Sequence, residues 1–320
     1  MTHVLDEVKK NIKYYDQLQW NAAVVQKALG VCYTPEASME SLVNDVKVFQ
    51  KTHRLDADGI LGPATWEAMQ ESLMTPKERA VKKVVDRVLV FESGGRYDAL
   101  NLDGEFKGKF KNHVATGKIH IGLSAGLIQF TQDGGSLGKL LKLMANTDEA
   151  VFKAIVGETW VELLEVTNAK GSSGLQKYRA MSEAEQSNNA NFPIRGPRVK
   201  PVKLGDKRLD LWEPEWQRVM KALLNHPKFK PCQWELALSL YLDPMRDFLK
   251  KNGLTSEKSV CIGFNLSVHR GASGAMNFMD NYFKSGRTES QILSAMARDD
   301  KRVFAIVSDK DFTYNVWGGW

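Results

Sequence analysis

The chain has 320 residues, 43% of them hydrophobic and 26% charged, a balance that suggests about two cored domains and excludes a disordered polymer. Its net charge of +6 is spread along the sequence rather than gathered in one tract, which suits a polyanionic partner without singling out nucleic acid. Cys32, Cys232 and Cys261 are odd in number and far apart, which excludes a disulfide framework and a metal-ligand spacing and leaves reduced thiols. No stretch approaches a membrane span, the opening MTHVLDEVKKNIKYYDQ holds no secretory-type apolar run, and no cofactor or metal signature appears. The expectation is a monomer made in a cytoplasm without a signal peptide, with no stable membrane insertion.

Residues 1–74 read as the first domain. Trp20, Val24, Val25, Ala28 and Leu29 carry one helical stripe, and Leu42, Val46 and Phe49 carry another. Asp58-Gly59 signals a turn, Gly62 precedes Pro63 as the first residue of a third helix, and Thr65, Trp66 and Met69 follow. This pattern, Phe49-Gln50, then Leu55-x-x-Asp58-Gly59-x-x-Gly62-x-x-Thr65, resembles the three-helix peptidoglycan-binding domain. Its first half departs from the family, because residues 31–40 lack the family's first Asp-Gly-x-x-Gly turn. The resemblance implies wall binding around Asp58, Gly59, Gly62 and Thr65, with Phe49, Leu55, Ile60 and Trp66 read as core.

A second domain is expected over residues 75–320, opened by a helix with signals at both ends. Thr75-Pro76-Lys77-Glu78 offers a cap, a Pro at the first helical position and a Glu three residues after the cap. Val81, Val84, Val85, Val88 and Leu89 form an apolar stripe, and Ser93-Gly94-Gly95 stops it. Glu92 falls on the same stripe, at the negative end of the helix dipole. Both placements favour the proton-bearing carboxyl, which a general acid working near neutral pH needs. Tyr97 to Phe106 then reads as a short strand and turn, with Asn101, Asp103 and Glu105 alternating with apolar residues. Gly122 to Gln132 sets Ser124, Gln129 and Thr131 among glycines and apolar residues, where backbone and ligand can approach closely.

Glu92-Ser93-Gly94-Gly95, a small sheet, and then Gly122-Leu123-Ser124-x-Gly126-x-Ile128-Gln129-Phe130 resemble the lysozyme-like superfamily of phage lysozymes, lytic transglycosylases and chitosanases. The resemblance implies a mainly α (α+β) fold, a helical domain with a small β-sheet. It also implies Glu92 as the acid that protonates a glycosidic oxygen, with Ser124, Gln129 and Thr131 lining the sugar groove beside Tyr97 and Asn101. Glycoside hydrolysis usually takes two carboxylates. Asp98, Asp103 and Glu105 are the candidates for the second, and Asp103, at its Asp-Gly turn, is the choice. A lytic transglycosylase needs none, because the substrate's own hydroxyl closes onto the sugar carbon.

Beyond the sheet, residues 137–144 and 150–166 read as helices with Trp160 packed, and residues 182–207 as a long Pro-broken loop. Trp212, Trp216 and Leu223 continue a helical pattern that resumes over residues 234–249. Residues 260–268 read as a buried central helix, with His269 at its end. Trp317 and Trp320 either pack or stack on sugar. The function expected is that of a modular phage endolysin: a muramidase that acts on the wall after the membrane is permeabilised, with bacterial peptidoglycan as partner and no nucleic acid. The alternatives are a lytic transglycosylase, a wall-binding phage structural protein without activity, and a chitosanase, disfavoured because the positive charge repels a polycation.

Overall fold

The computed structural model describes residues 2–18, 22–30, 39–102, 123–132, 135–168, 203–204, 207–208, 211, 214–283 and 286–320. The chain divides into two compact units, Met1–Lys83 with Gly318–Trp320, and Val84–Trp317. Helices dominate the described residues, and the larger unit adds a small three-stranded sheet.

The first unit holds α1 (Thr2–Leu18), α2 (Ala22–Leu29), α3 (Met39–Thr52) and α4 (Pro63–Ser72). Val25, Leu42, Val46, Phe49, Leu61 and Met69 are buried together, with Tyr14, Ala28, Leu29 and Trp66 against them. The stripes of α2 and α3 therefore meet as their spacing predicts. Helix α1 is an addition to the three expected helices, and its polar sequence hides the reason: Tyr14 packs on the core, Asn11 is fully buried, and Glu7 accepts from Lys47 of α3 at 2.9 Å. The helix is fixed as much by hydrogen bonds as by apolar contact.

Helix α5 (Pro76–Glu92) begins with the predicted capping box. Glu78 Oε2 accepts from the Thr75 N–H at 2.7 Å and its hydroxyl at 2.8 Å, while the Glu78 N–H donates to Thr75 Oγ1 at 3.2 Å. Val84, Val85, Val88 and Leu89 are buried. At the other end the N–H groups of Ser93 and Gly95 both donate to the Leu89 carbonyl, at 2.9 and 3.2 Å, with Gly94 and Gly95 at φ +64° and +81°. That left-handed exit is open to glycine at little cost.

Strands β1 (Leu100–Leu102), β2 (Leu123–Ala125) and β3 (Phe130–Thr131) form an antiparallel sheet in that order. Then come α6 (Ser136–Thr147), α7 (Glu149–Val156) and α8 (Trp160–Asn168). The single helix expected over residues 150–166 is split between α7 and α8: Gly157 at φ +83° ends α7, its N–H donating to the Lys153 carbonyl. Strands β4 (Lys203–Leu204) and β5 (Lys207–Arg208) pair as a hairpin at the end of the expected loop, whose other residues lie outside the described set. Cys32, Trp20 and Trp212 also lie outside it, whereas Cys232 and Cys261 are buried free thiols.

The rest of the unit is α9 (Pro214–Asn225), α10 (Lys230–Ala237), a π turn (Leu238–Leu242), α11 (Asp243–Lys251), α12 (Glu257–Arg270), α13 (Ala272–Asp280), α14 (Glu289–Asp299) and α15 (Lys301–Val307). Helix α12 is the predicted central helix, buried at every residue from Lys258 to Ser267, with α11, α13, α15 and the π turn packed against it. Its one buried cation has a local use. Lys258 Nζ donates to the carbonyls of Ile306 at 3.3 Å, Val307 at 2.6 Å and Asp309 at 2.7 Å, closing the C-terminal end of α15. Trp317 is buried with the Arg246 guanidinium over its ring, 5.4 Å from the centroid, so this tryptophan packs.

Candidate active site

The sheet register brings three expected site residues into one row. Asn101 lies opposite Ser124, and Ser124 opposite Thr131. Residues directly across a sheet share a face, so all three project to the same side. The neighbouring row includes Ala125 and Phe130, both fully buried. The alternation of polar and apolar residues thus sorts the sheet into a core face and a polar face.

A turn that only a glycine fits sets the geometry between β2 and β3. Gly126 has φ +81°, and a methyl group there would come within 2.6 Å of Gln233 Oε1. That oxygen accepts from the Leu127 N–H at 2.9 Å, while Gln233 Nε2 donates to the Leu224 carbonyl at 2.9 Å. A fully buried side chain of α10 therefore holds the hairpin. Three residues after Gly126, Gln129 has φ +57°, a conformation few side-chain-bearing residues adopt. Its Nε2 donates to the carbonyls of Gly126 at 3.0 Å and Ala99 at 3.3 Å. Among the described residues its buried Oε1 has no hydrogen-bond donor. An unusual backbone conformation and an acceptor without a donor thus coincide at this residue.

Glu92, on the last turn of α5, lies on the inward face as expected, its side chain 13% exposed. Its surroundings differ from the apolar setting that the stripe implies, because Arg302 Nη1 of α15 donates to Glu92 Oε1. A guanidinium arrives from a helix more than two hundred residues away in sequence, which periodicity within α5 cannot report. Two further groups stand near enough to feel the Glu92 charge, Tyr241 and His269. The Tyr241 pKa is raised, by burial first and by Glu92 besides, against a hydrogen bond with Ser136 that lowers it; it stays a phenol at neutral pH. The His269 pKa is lowered, chiefly by desolvation and then by Arg302, with Glu92 pulling the other way.

Ser136 joins Tyr241 to the sheet. Its Oγ accepts from the Thr131 N–H at 2.8 Å and is hydrogen-bonded to Tyr241. Tyr241, Ser136 and Thr131 thus form one hydrogen-bonded set, near enough to Glu92 for its charge to act on Tyr241, with Ser124 and Asn101 continuing the row. Tyr241 and Arg302 were missed in the sequence. Tyr241 sits in the π turn, and the signal for that turn was Pro244: it has no N–H for the carbonyl at Leu240, and its ring crowds that carbonyl in an α-helix. Arg302 had no sequence signal.

Tyr97 is oriented by its hydroxyl, which accepts from Trp234 Nε1 at 2.7 Å, and Lys230 Nζ lies 5.1 Å from its ring centroid. Asp98 is engaged at both oxygens. Arg96 binds Oδ1 at 3.1 Å and Asn225 binds Oδ2 at 3.1 Å. Burial opposes the Asp98 charge, but these hydrogen bonds outweigh it and lower the pKa. Asp103 and Glu105 lie outside the described residues. Among the described residues no cluster of His, Cys, Asp and Glu suits a metal ion.

In the first unit the residues expected to touch the wall sit in a turn that is clamped from within. Gln50, buried, donates through Nε2 to Asp58 Oδ1 at 2.7 Å, Thr65 Oγ1 at 3.0 Å and the Ile60 carbonyl at 3.1 Å, and its Oε1 accepts from the Gly59 N–H at 2.8 Å. Asn11 holds the other side, donating to the Gly59 carbonyl at 3.1 Å and accepting from the Leu61 N–H at 2.7 Å. Thr65 is buried, Gly59 has φ +76° with Val43 pressed against it, and Gly62 precedes α4 as its cap. Asp58 is exposed at the turn. These positions shape the surface that a ligand would meet, and Asp58 is the one of the four that reaches it most openly.

Residues 37–69 match a family described as "Putative peptidoglycan binding domain". No match is found among curated proteins. Among solved structures the chain aligns with a mutant chitosanase from Bacillus subtilis MY002 complexed with 6 GlcN, at 13% identity and a TM-score of 0.43, over 74% of this chain and 89% of that one. A likeness at that score assigns neither a fold family nor a substrate.

Proposed function

We propose that the protein is a peptidoglycan-degrading enzyme that cuts the glycan strand between N-acetylmuramic acid and N-acetylglucosamine, with Glu92 as general acid. The first unit holds the wall. The observation that carries this reading is the half-buried Glu92 carboxyl, near enough for its charge to act on Tyr241, which Ser136 ties to the sheet that bears the polar row. A glycan lying along that row presents a glycosidic oxygen to Glu92. The carboxyl gives its proton to that oxygen as the bond to the sugar carbon breaks, and the carboxylate left behind faces an oxocarbenium-like sugar. Tyr241, kept as a phenol, supplies a donor for substrate hydroxyl and acetamido groups. Ser124, Asn101 and Tyr97 line the same path, and the Asp58 turn of the first unit touches the wall.

Two endings of the reaction belong to this proposal. In a muramidase Asp103 activates water or stabilises the cation, and reducing muramic ends result. In a lytic transglycosylase the muramyl hydroxyl closes the ring, with Glu92 taking back the proton. The engagement of Asp98 at both oxygens favours looking beyond it for any second carboxylate. Release onto the wall at the end of a phage infection, as an endolysin, is part of the same reading.

The test is mass spectrometry of fragments from purified peptidoglycan digested by the wild type and by Glu92→Gln. General acid catalysis is worth about 10²–10⁴ in rate, so the variant should lose at least about a hundredfold. Reducing ends identify the hydrolase, and anhydro ends the transglycosylase. Wall binding without cleavage by the wild type refutes the enzyme.

A further inference from the structure

Two ion pairs join α5 to the C-terminal hairpin of α14 and α15, and they run in opposite senses. Arg87 of α5 donates to Asp309 Oδ2 at 2.7 Å, just past α15, and Glu92 of α5 accepts from Arg302 at the start of α15. Both pairs are half-buried, and both guanidinia lie over the Phe91 ring, 4.5 Å from its centroid for Arg87 and 5.9 Å for Arg302. If holding the hairpin were the whole purpose, the two pairs would be equivalent. They differ in where they sit: the second closes on the carboxyl read above as the acid.

The start of α15 is built to keep Arg302 in place. Asp300 caps the helix, its Oδ1 accepting from the N–H groups of Arg302 at 2.9 Å and Val303 at 3.2 Å. Its other oxygen accepts from Arg270 Nη2 at 2.9 Å, at the end of the central helix. Lys258 closes the far end of α15. A short helix capped at both ends from α12 delivers one guanidinium to one carboxylate. The ionisable groups facing this pair are Tyr241 from the π turn, His269 and Arg270 from α12, Asp300 from the cap, and Arg87 across Phe91.

We propose that Arg302 is a positioning residue for Glu92, aiming its carboxyl until a bound glycan displaces the guanidinium. The inference rests on the reading of Glu92 as the acid. A contacting cation stabilises the carboxylate over the carboxylic acid, whereas the step at the glycosidic oxygen consumes the acid's proton. Displacement of the guanidinium by substrate reconciles the two. The free protein keeps Glu92 oriented against Arg302, and the occupied site releases it toward the glycosidic oxygen.

The test compares Arg302→Gln, Arg302→Lys and Arg87→Gln with the wild type, reading melting temperature and the pH profile of glycan cleavage, with Glu92→Gln as the reference for lost chemistry. Positioning predicts that Arg302→Gln moves the alkaline limb of the profile to higher pH by about one unit, roughly what losing one neighbouring opposite charge does. Arg302→Lys should restore most of the wild-type profile. Arg87→Gln should lower the melting temperature at least as much as Arg302→Gln and leave the profile unchanged. If Arg302→Gln and Arg87→Gln lose stability alike and both keep the wild-type profile, Arg302 is a clamp and the inference fails alone. Full cleavage by Glu92→Gln overturns the acid assignment and this inference with it. If Arg302→Gln does not fold, Arg302→Met takes its place: a displaced alkaline limb supports positioning, and an unchanged one with a lowered melting temperature opposes it.

Discussion

Gly126 has no room for a side chain, since its backbone is left-handed and Gln233 Oε1 fills the space a methyl group would take. Gly126→Ala should therefore cost about 2 kcal/mol or more, combining the left-handed strain of an alanine with displacement of a buried hydrogen bond. Denaturant unfolding measures it, and a loss below about 0.5 kcal/mol would show that the hairpin adapts. The same turn explains what residue-level reading could reach. Glu92, Ser124, Gln129 and Thr131 stood out because polar groups among glycines and apolar neighbours are unusual, and the sheet register gathers Ser124 and Thr131 with Asn101. Arg302 did not stand out, because an arginine at the start of a helix is ordinary in sequence. Only its partner distinguishes it. Gln50 was visible as part of a motif, yet its work, gathering Asp58, Gly59, Ile60 and Thr65 on one amide, depends on a loop geometry that no spacing expresses.

Among the elements, the helices with strong stripes or caps were legible: α3, α4, α5, α6 and α12 lie where apolar period and capping residues put them. Three features were not. Helix α1 has too polar a sequence to announce a buried face, the α7–α8 break turns on Gly157 alone, and the π turn hides inside a pattern that otherwise reads as unbroken helix. In each case a single residue or hydrogen bond outweighs the average of the segment. Helix α15 is the element most open to test. Its C-terminal carbonyls rest on the Lys258 ammonium, whose pKa is lowered, chiefly by desolvation. Lys258→Met keeps the stem's bulk and removes the donors, so it should destabilise the protein by about 1–3 kcal/mol, the range for a lost hydrogen-bond partner in a buried or part-buried setting. Amide hydrogen exchange should rise first in residues 301–307, and equal protection in the variant and the wild type would contradict the assignment.

For the molecule as a whole, acid is the direction of weakness. The pKa values of His226 and His269 are both lowered, chiefly by desolvation, with Lys228 acting on the first and Arg302 on the second. An unfolded chain takes up these protons near pH 6.5 while the folded one still resists. The stability they contribute is present above pH 6.5 and is lost as the pH falls through their lower folded values. Melting temperature against pH should therefore drop less steeply below pH 6.5 in His226→Asn/His269→Asn than in the wild type, and parallel curves would reject the assignment. The pairing of Glu92 with Arg302 also has a temporal side. The partners are 210 residues apart, so at a translation rate of roughly 5–20 residues per second the ribosome makes the arginine about 10–40 s after the glutamate. The residues of the anchoring unit's core have all been synthesised before either partner. On the function proposed for it, a nascent chain acquires its grip on the wall well before the Glu92 site is complete, and a prematurely terminated one would be a competitor for the wall rather than a threat to it.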